Sequence, residues 1–97
     1  MTLADFEAAA AAMRPLPAGV PALLNALWRD ATGDWDGAHM LAQEVDTREG
    51  AWVHAYLHRK EGDISNAHYW YRRADRPPAD GELDDERRAI VAALLAE

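Results

Sequence analysis

Apolar residues recur at intervals of three and four along most of the chain, which is the spacing of one face of an α-helix. Near the amino terminus, Leu3, Phe6, Ala10 and Met13 share such a face. The chain has no alternating run of β-branched residues of the kind that predicts a strand. The pattern therefore predicts an all-α fold.

Proline, glycine and capping residues divide this pattern into about six helices. Three prolines between residues 15 and 21 remove backbone donors, so residues 14–20 are predicted to be a connector. Gly33-Asp34 and Gly62-Asp63 each combine a left-handed helix stop with an N-cap for the following helix. The predicted helices span about residues 3–13, 21–32, 35–45, 51–61, 64–74 and 82–96.

The two Gly-Asp turns belong to a longer duplication. Residues 23–46 align with residues 52–75 at an offset of 29 residues, with six identities that include both turns. The spacing predicts two helical hairpins in one domain, at about 21–46 and 51–75. The terminal helices, at about 3–13 and 82–96, are expected to cover their exposed ends, because stacked hairpins need capping.

The string GDISNAHYWYRRA at residues 62–74 resembles the second half of a tetratricopeptide repeat, and its second part resembles the Sel-type variant. The resemblance implies a short right-handed stack of TPR-like hairpins. It also implies close contact between small residues of paired helices, which places Ala26 against Ala38 and Ala55 against Ala67. Residues 52–63 are similar to a string in small uncharacterised bacterial proteins, a resemblance that implies no activity.

Composition and charge narrow the possible partners. The 97 residues carry a formal net charge of -7, which disfavours nucleic acids and anionic membranes as partners. The chain has no cysteine, which excludes disulfides and thiolate metal sites. No segment approaches the roughly 20 apolar residues that span a bilayer, and the amino terminus does not resemble a signal peptide. A cytoplasmic location is expected.

His54, His58 and Glu61 form a polar stripe on an otherwise apolar helix. Histidines at i and i+4 with a carboxylate three residues later match a two-histidine, one-carboxylate site for zinc or another divalent metal. Ala55 stands where a metalloprotease has its general base, so hydrolysis is not expected. The remaining two histidines are candidates to join this site: His39 and His68.

The orientation of this stripe has two interpretations. At an offset of 29 residues it corresponds to Asn25, Arg29 and Thr32, which predicts a continuous polar surface for a peptide or small ligand. That surface comprises Asn25, Arg29, His54, His58 and Glu61. Carrying over the register of the Gly-Asp turn instead turns the two histidines toward the partner helix, near Asn66 and His68. The groove residues are then Trp52, Tyr56 and Arg59.

Two functions follow from these patterns. The leading hypothesis is a non-enzymatic scaffold for protein association, which binds a peptide or forms a homodimer through an aromatic face. The alternative is a metal- or small-ligand-binding protein that uses His54, His58 and Glu61. Ser65 is the only serine, and no nucleophile with an adjacent base is evident. Tyr69, Trp70 and Tyr71 are interpreted as core residues.

Overall fold

Six α-helices joined by short turns and two proline-containing connectors make up the fold. A computed structural model describes residues 1–97 and contains no strand, which confirms the predicted all-α class. None of the helices combines the length and apolar character needed to cross a membrane. The helices are α1 (Leu3–Ala11), α2 (Ala22–Ala31), α3 (Trp35–Gln43), α4 (Arg48–Glu61), α5 (Ile64–Ala74) and α6 (Leu83–Leu95).

Two equivalent turns join α2 to α3 and α4 to α5. Gly33 and Gly62 adopt left-handed backbone angles, with φ of 95° and 91°, which glycine accepts without steric cost. Asp34 then accepts a hydrogen bond from the backbone N–H of Gly37, and Asp63 accepts one from that of Asn66. Each turn therefore stops one helix and caps the next, as the duplication predicts.

Helix α4 lies at the centre of the molecule and contacts α2, α3, α5 and α6. Its residues 50–58 are all buried, so its surface is covered on every side. The alanines of the duplicated pairs are also buried, which allows the paired helices to approach closely. The other large buried side chains include Phe6 of α1, Leu27 of α2, Tyr71 of α5 and Ile90 of α6.

The predicted start of the central helix at residue 51 is wrong, because α4 begins at Arg48. Thr47 is its N-cap, and the Thr47 hydroxyl accepts a hydrogen bond from the N–H of Gly50 at 3.0 Å. A Cβ atom at position 50 would overlap the carbonyl oxygen of Val45, so glycine lets α4 pass close to the end of α3.

Helix α6 packs against α1, α2 and α4. It covers the face of α4 that carries Trp52 and Arg59, and the Trp52 indole N–H donates to Glu86 of α6 at 3.2 Å. Tyr56 is fully buried and donates to Asp30 of α2. The expectation that Tyr56 lines an open groove is therefore wrong, because Tyr56 is fully buried against α2. Trp52 and Arg59 do line a cavity of about 360 Å³, although Trp52 is only 7% exposed.

Candidate functional site

Three histidines from two helices meet in one cluster beside α4. One ring nitrogen of each of His39, His54 and His58 lies within 4.8 Å of the others. Nε2 of His39 on α3 is 2.9 Å from Nε2 of His54 on α4. His54 and His58 stack at a centroid distance of 4.8 Å because they are one helical turn apart. The imidazole of His39 stands edge-on to both.

Two tryptophans support this histidine cluster. The Trp35 ring stacks on His39 at 5.0 Å, and its indole N–H donates to the carbonyl oxygen of Leu57. The Trp70 ring of α5 stacks on His54 at 3.8 Å. His54 and His58 are only 5% and 7% exposed, whereas His39 is half-buried. His39 is therefore the most exposed of the three histidines.

Burial favours the uncharged form of two members of the cluster, His54 and His39. It lowers the pKa of His54 to about 4, with smaller contributions in the same direction from His39 and His58. Burial also lowers the pKa of His39, again with a contribution from His58. In the contact between His39 and His54, one neutral ring donates its proton and the other accepts it. Neutral imidazole is the form of histidine that binds metal ions.

Glu61 holds the third histidine from outside the cluster. Its Oε2 lies 2.5 Å from Nδ1 of His58, at the partly exposed end of α4. A carboxylate at Nδ1 fixes the proton there and leaves Nε2 of His58 with a free lone pair. Thus His39, rather than Glu61, groups with His54 and His58, and Glu61 orients His58. Asp63, the N-cap of α5, forms a second group with His58 and Glu61.

The other predicted binding residues lie elsewhere. Asn25 and Arg29 line a separate cavity beside Trp28, and Arg29 pairs with Asp34 at 3.1 Å. His68 is exposed on α5 and is outside the cluster. The predicted continuous polar strip is therefore not present.

The second predicted orientation, in which His54 and His58 turn toward the partner helix, is closer to the observed one. His54 does face α5, but its neighbours are Trp70 and His39 instead of Asn66 and His68. Of the predicted aromatic core, Tyr71 is buried, Trp70 is half-buried, and Tyr69 is 43% exposed. Trp70 thus stacks on the histidine cluster and also packs against the apolar core.

Two buried carboxylates, which sequence reasoning missed, fix the orientation of α4. Asp30 accepts from the Tyr56 hydroxyl at 2.7 Å and from Lys60 at 2.8 Å. Glu86 accepts hydrogen bonds from three side chains: Trp52 at 3.2 Å, Tyr71 at 2.6 Å and Arg59 at 3.0 Å.

The sequence does contain a pattern that predicts burial of these two acids, because each lies on an apolar face of its helix. Asp30 follows Leu23 and Leu27 at helical spacing, and Glu86 precedes Ile90 by one turn. Burial and the adjacent carboxylates raise the pKa of Tyr56 and of Tyr71, so both hydroxyls remain protonated donors.

The fold and the cluster define an all-α domain with a histidine-rich site between two helical hairpins. Comparisons with protein-family models, curated proteins and solved structures give no match to this chain. Membership of the tetratricopeptide or Sel-type families stays a prediction, as do a protein partner and a homodimer. The chemistry of the site is therefore the basis for a function.

Proposed function

We propose that this protein binds one divalent transition-metal ion through His39, His54 and His58, with zinc as the first candidate. The observation that supports this function is the convergence of three ring nitrogens within 4.8 Å of one another. Zinc binds imidazole nitrogen at about 2.0–2.1 Å, so nitrogens in a tetrahedral site lie roughly 3.3 Å apart. The 2.9 Å between His39 and His54 needs only a small outward movement to reach that spacing.

The surroundings of the histidines suit this role. The carboxylate of Glu61 on Nδ1 of His58 is the kind of outer partner that orients a metal-binding imidazole. The rings of Trp35 and Trp70 restrict the movement of His39 and His54. Three protein nitrogens leave one position of a tetrahedral ion for water or a ligand. The half-buried side at His39 provides access to that position.

Zinc titration tests the proposal directly. We expect one zinc ion per chain by calorimetry, and a higher melting temperature because zinc binds only the folded arrangement. At a free zinc concentration 100 times Kd, the free energy of unfolding should rise by about 2.7 kcal/mol. His39→Gln and His54→Gln should abolish both effects, and Glu61→Gln should weaken zinc binding about 10- to 100-fold.

His68→Gln is the matched control, because His68 is a histidine of the same domain that lies outside the cluster. It should bind zinc as the wild type does. The metal function would be excluded by a wild-type protein that shows neither binding heat nor stabilisation. It would equally be excluded if His39→Gln retained wild-type affinity, since zinc would then be bound elsewhere.

A further inference from the structure

A cleft of about 280 Å³ adjoins the histidine cluster. It lies between the end of α3, the start of α4 and the outer part of α5, and His54 forms part of its wall. Arg48 and Arg73 line the cleft, as does the carboxylate of Asp46. The apolar part of the lining comprises Ala42, Val45, Ala51 and Trp70. The cleft is thus a small, partly apolar space next to a proposed metal ligand, and its charged lining consists of two cationic side chains and one carboxylate.

The two buried histidines of α4 differ at Nδ1. Nδ1 of His58 has the Glu61 carboxylate as its partner, whereas His54 makes its only side-chain hydrogen bond through Nε2. His54 is 5% exposed, and it lines the cleft. When Nε2 binds an ion, the proton of the neutral ring is on Nδ1, so His54 becomes a donor that lacks an acceptor.

The charges around the cleft favour an anion as that acceptor. The amino terminus of α4, a helix of 14 residues, carries a partial positive charge beside Arg48. The Arg73 guanidinium lies 5.4 Å from the centre of the Trp70 ring. Asp75 is 3.9 Å from Arg48 and Asp46 is 3.8 Å from Arg73, but both acids are highly exposed. Such exposed ion pairs are weak, so a ligand can replace them.

We propose that this cleft binds a small carboxylate that accepts the Nδ1–H of His54 while Arg48 and Arg73 neutralise its charge. This inference rests on the proposed metal function, because the bound ion places the proton on Nδ1. The ligand carboxylate binds Nδ1 of His54 in the same way as the Glu61 carboxylate binds Nδ1 of His58. The apolar lining selects a carboxylate with a short hydrocarbon group. Ion and carboxylate strengthen each other's binding, since coupling between two sites is reciprocal.

Calorimetric titration of butyrate into the zinc-bound protein tests this inference, with butyramide as the uncharged analogue. We expect butyrate to bind and butyramide not to bind. Arg48→Gln and Arg73→Gln should each weaken butyrate binding about tenfold, the effect of losing one charge-assisted hydrogen bond. Arg72→Gln, which changes an exposed neighbour outside the cleft, should have no effect. Saturating butyrate should raise zinc affinity about tenfold.

Several outcomes would overturn the inference. If butyramide bound as tightly as butyrate, the negative charge of the ligand would not contribute to binding. If both arginine variants bound butyrate with wild-type affinity, the carboxylate would bind directly to the zinc ion and not in the cleft. Tighter, arginine-dependent binding of inorganic phosphate would identify a phosphate site instead. Zinc titrated without butyrate separates the two proposals: zinc binding without butyrate binding overturns only the cleft, whereas absent zinc binding overturns the metal function as well.

Discussion

Among the individual residues, His54 contacts other rings of the site on several sides. It contacts His39, stacks on both His58 and Trp70, and lines the cleft at the start of α4. Its burial disfavours the charged imidazolium, which is why its pKa falls so far below the ordinary value of 6.5. A group of this kind makes the stability of the fold depend on pH.

The direction of that dependence follows from the two protonation states. With a pKa of about 4 in the folded protein, His54 stays neutral where an unfolded chain already takes up a proton. The free energy of unfolding of the metal-free protein should therefore fall as pH is lowered from about 6.5 to about 4. His54 should account for a loss on the order of 3 kcal/mol. Urea unfolding at a series of pH values measures the loss.

The matched comparison is between His54→Gln and His68→Gln. His54→Gln should lose most of this pH dependence, whereas His68→Gln changes an exposed histidine and should keep it. If the free energy of unfolding of His54→Gln varied with pH as that of the wild type does, His54 would not be the source of the pH dependence. A measured His54 pKa near 6.5 would contradict this assignment as well.

At the level of helices, local signals predicted most of what the structure contains. The apolar periodicity and the two Gly-Asp turns predicted six helices, because both signals act between residues close in the chain. The start of α4 was missed although the residues that determine it are also close in the chain. Thr47 caps α4, and Gly50 is required because the helix passes close to the backbone of Val45. The residue type alone does not distinguish a glycine needed for such a contact from a glycine that precedes a helix.

Gly50→Ala tests this explanation of the α4 boundary. The added methyl group would overlap the backbone of Val45, so α4 must shift away from the end of α3. We expect a loss of about 3 kcal/mol in the free energy of unfolding, the upper range for overpacking. Gly81→Ala is the control because its Cβ would meet open space, and it should change stability by less than about 0.5 kcal/mol. If denaturant unfolding showed equal losses of stability in Gly50→Ala and Gly81→Ala, the close approach of α4 to Val45 would not be the reason for a glycine at position 50.

Across the whole molecule, Glu86 joins α6 to the central pair of helices. Its carboxylate lies in the interior and accepts from Trp52 and Arg59 of α4 and from Tyr71 of α5. Glu86→Ala would leave the Trp52 indole N–H and the Tyr71 hydroxyl without their acceptor, and it would remove the ion-pair partner of Arg59, which keeps only its hydrogen bond to the carbonyl oxygen of Gly81. We expect a loss of about 3–5 kcal/mol, measured by urea unfolding.

The neighbouring acid provides the comparison for Glu86. Asp85 is exposed and pairs with Arg88 one turn along α6, so Asp85→Ala should cost less than about 1 kcal/mol. If the two alanine variants lost equal stability, the buried network would not be what holds α6 in place.

The candidate site was predictable only in part. The spacing of His54 and His58 placed them on one face of α4, and His39 was identified only as one of two further candidates. Which histidine joins them depends on how α3 packs against α4, and a local pattern carries no information about that packing. The same limit applies to Asp30 and Glu86, whose acceptor role appears only when distant donors are brought to them.

The histidine cluster also has a consequence for how the two halves of the chain separate. His39 belongs to the first hairpin, while His54 and His58 belong to the second. An ion held by all three would be a reversible cross-link that closes a loop of about 15 residues, which in the chain-entropy model of a disulfide contributes about 3 kcal/mol. In a chain without cysteine, metal supply rather than redox state would then set how firmly the two hairpins are fastened together.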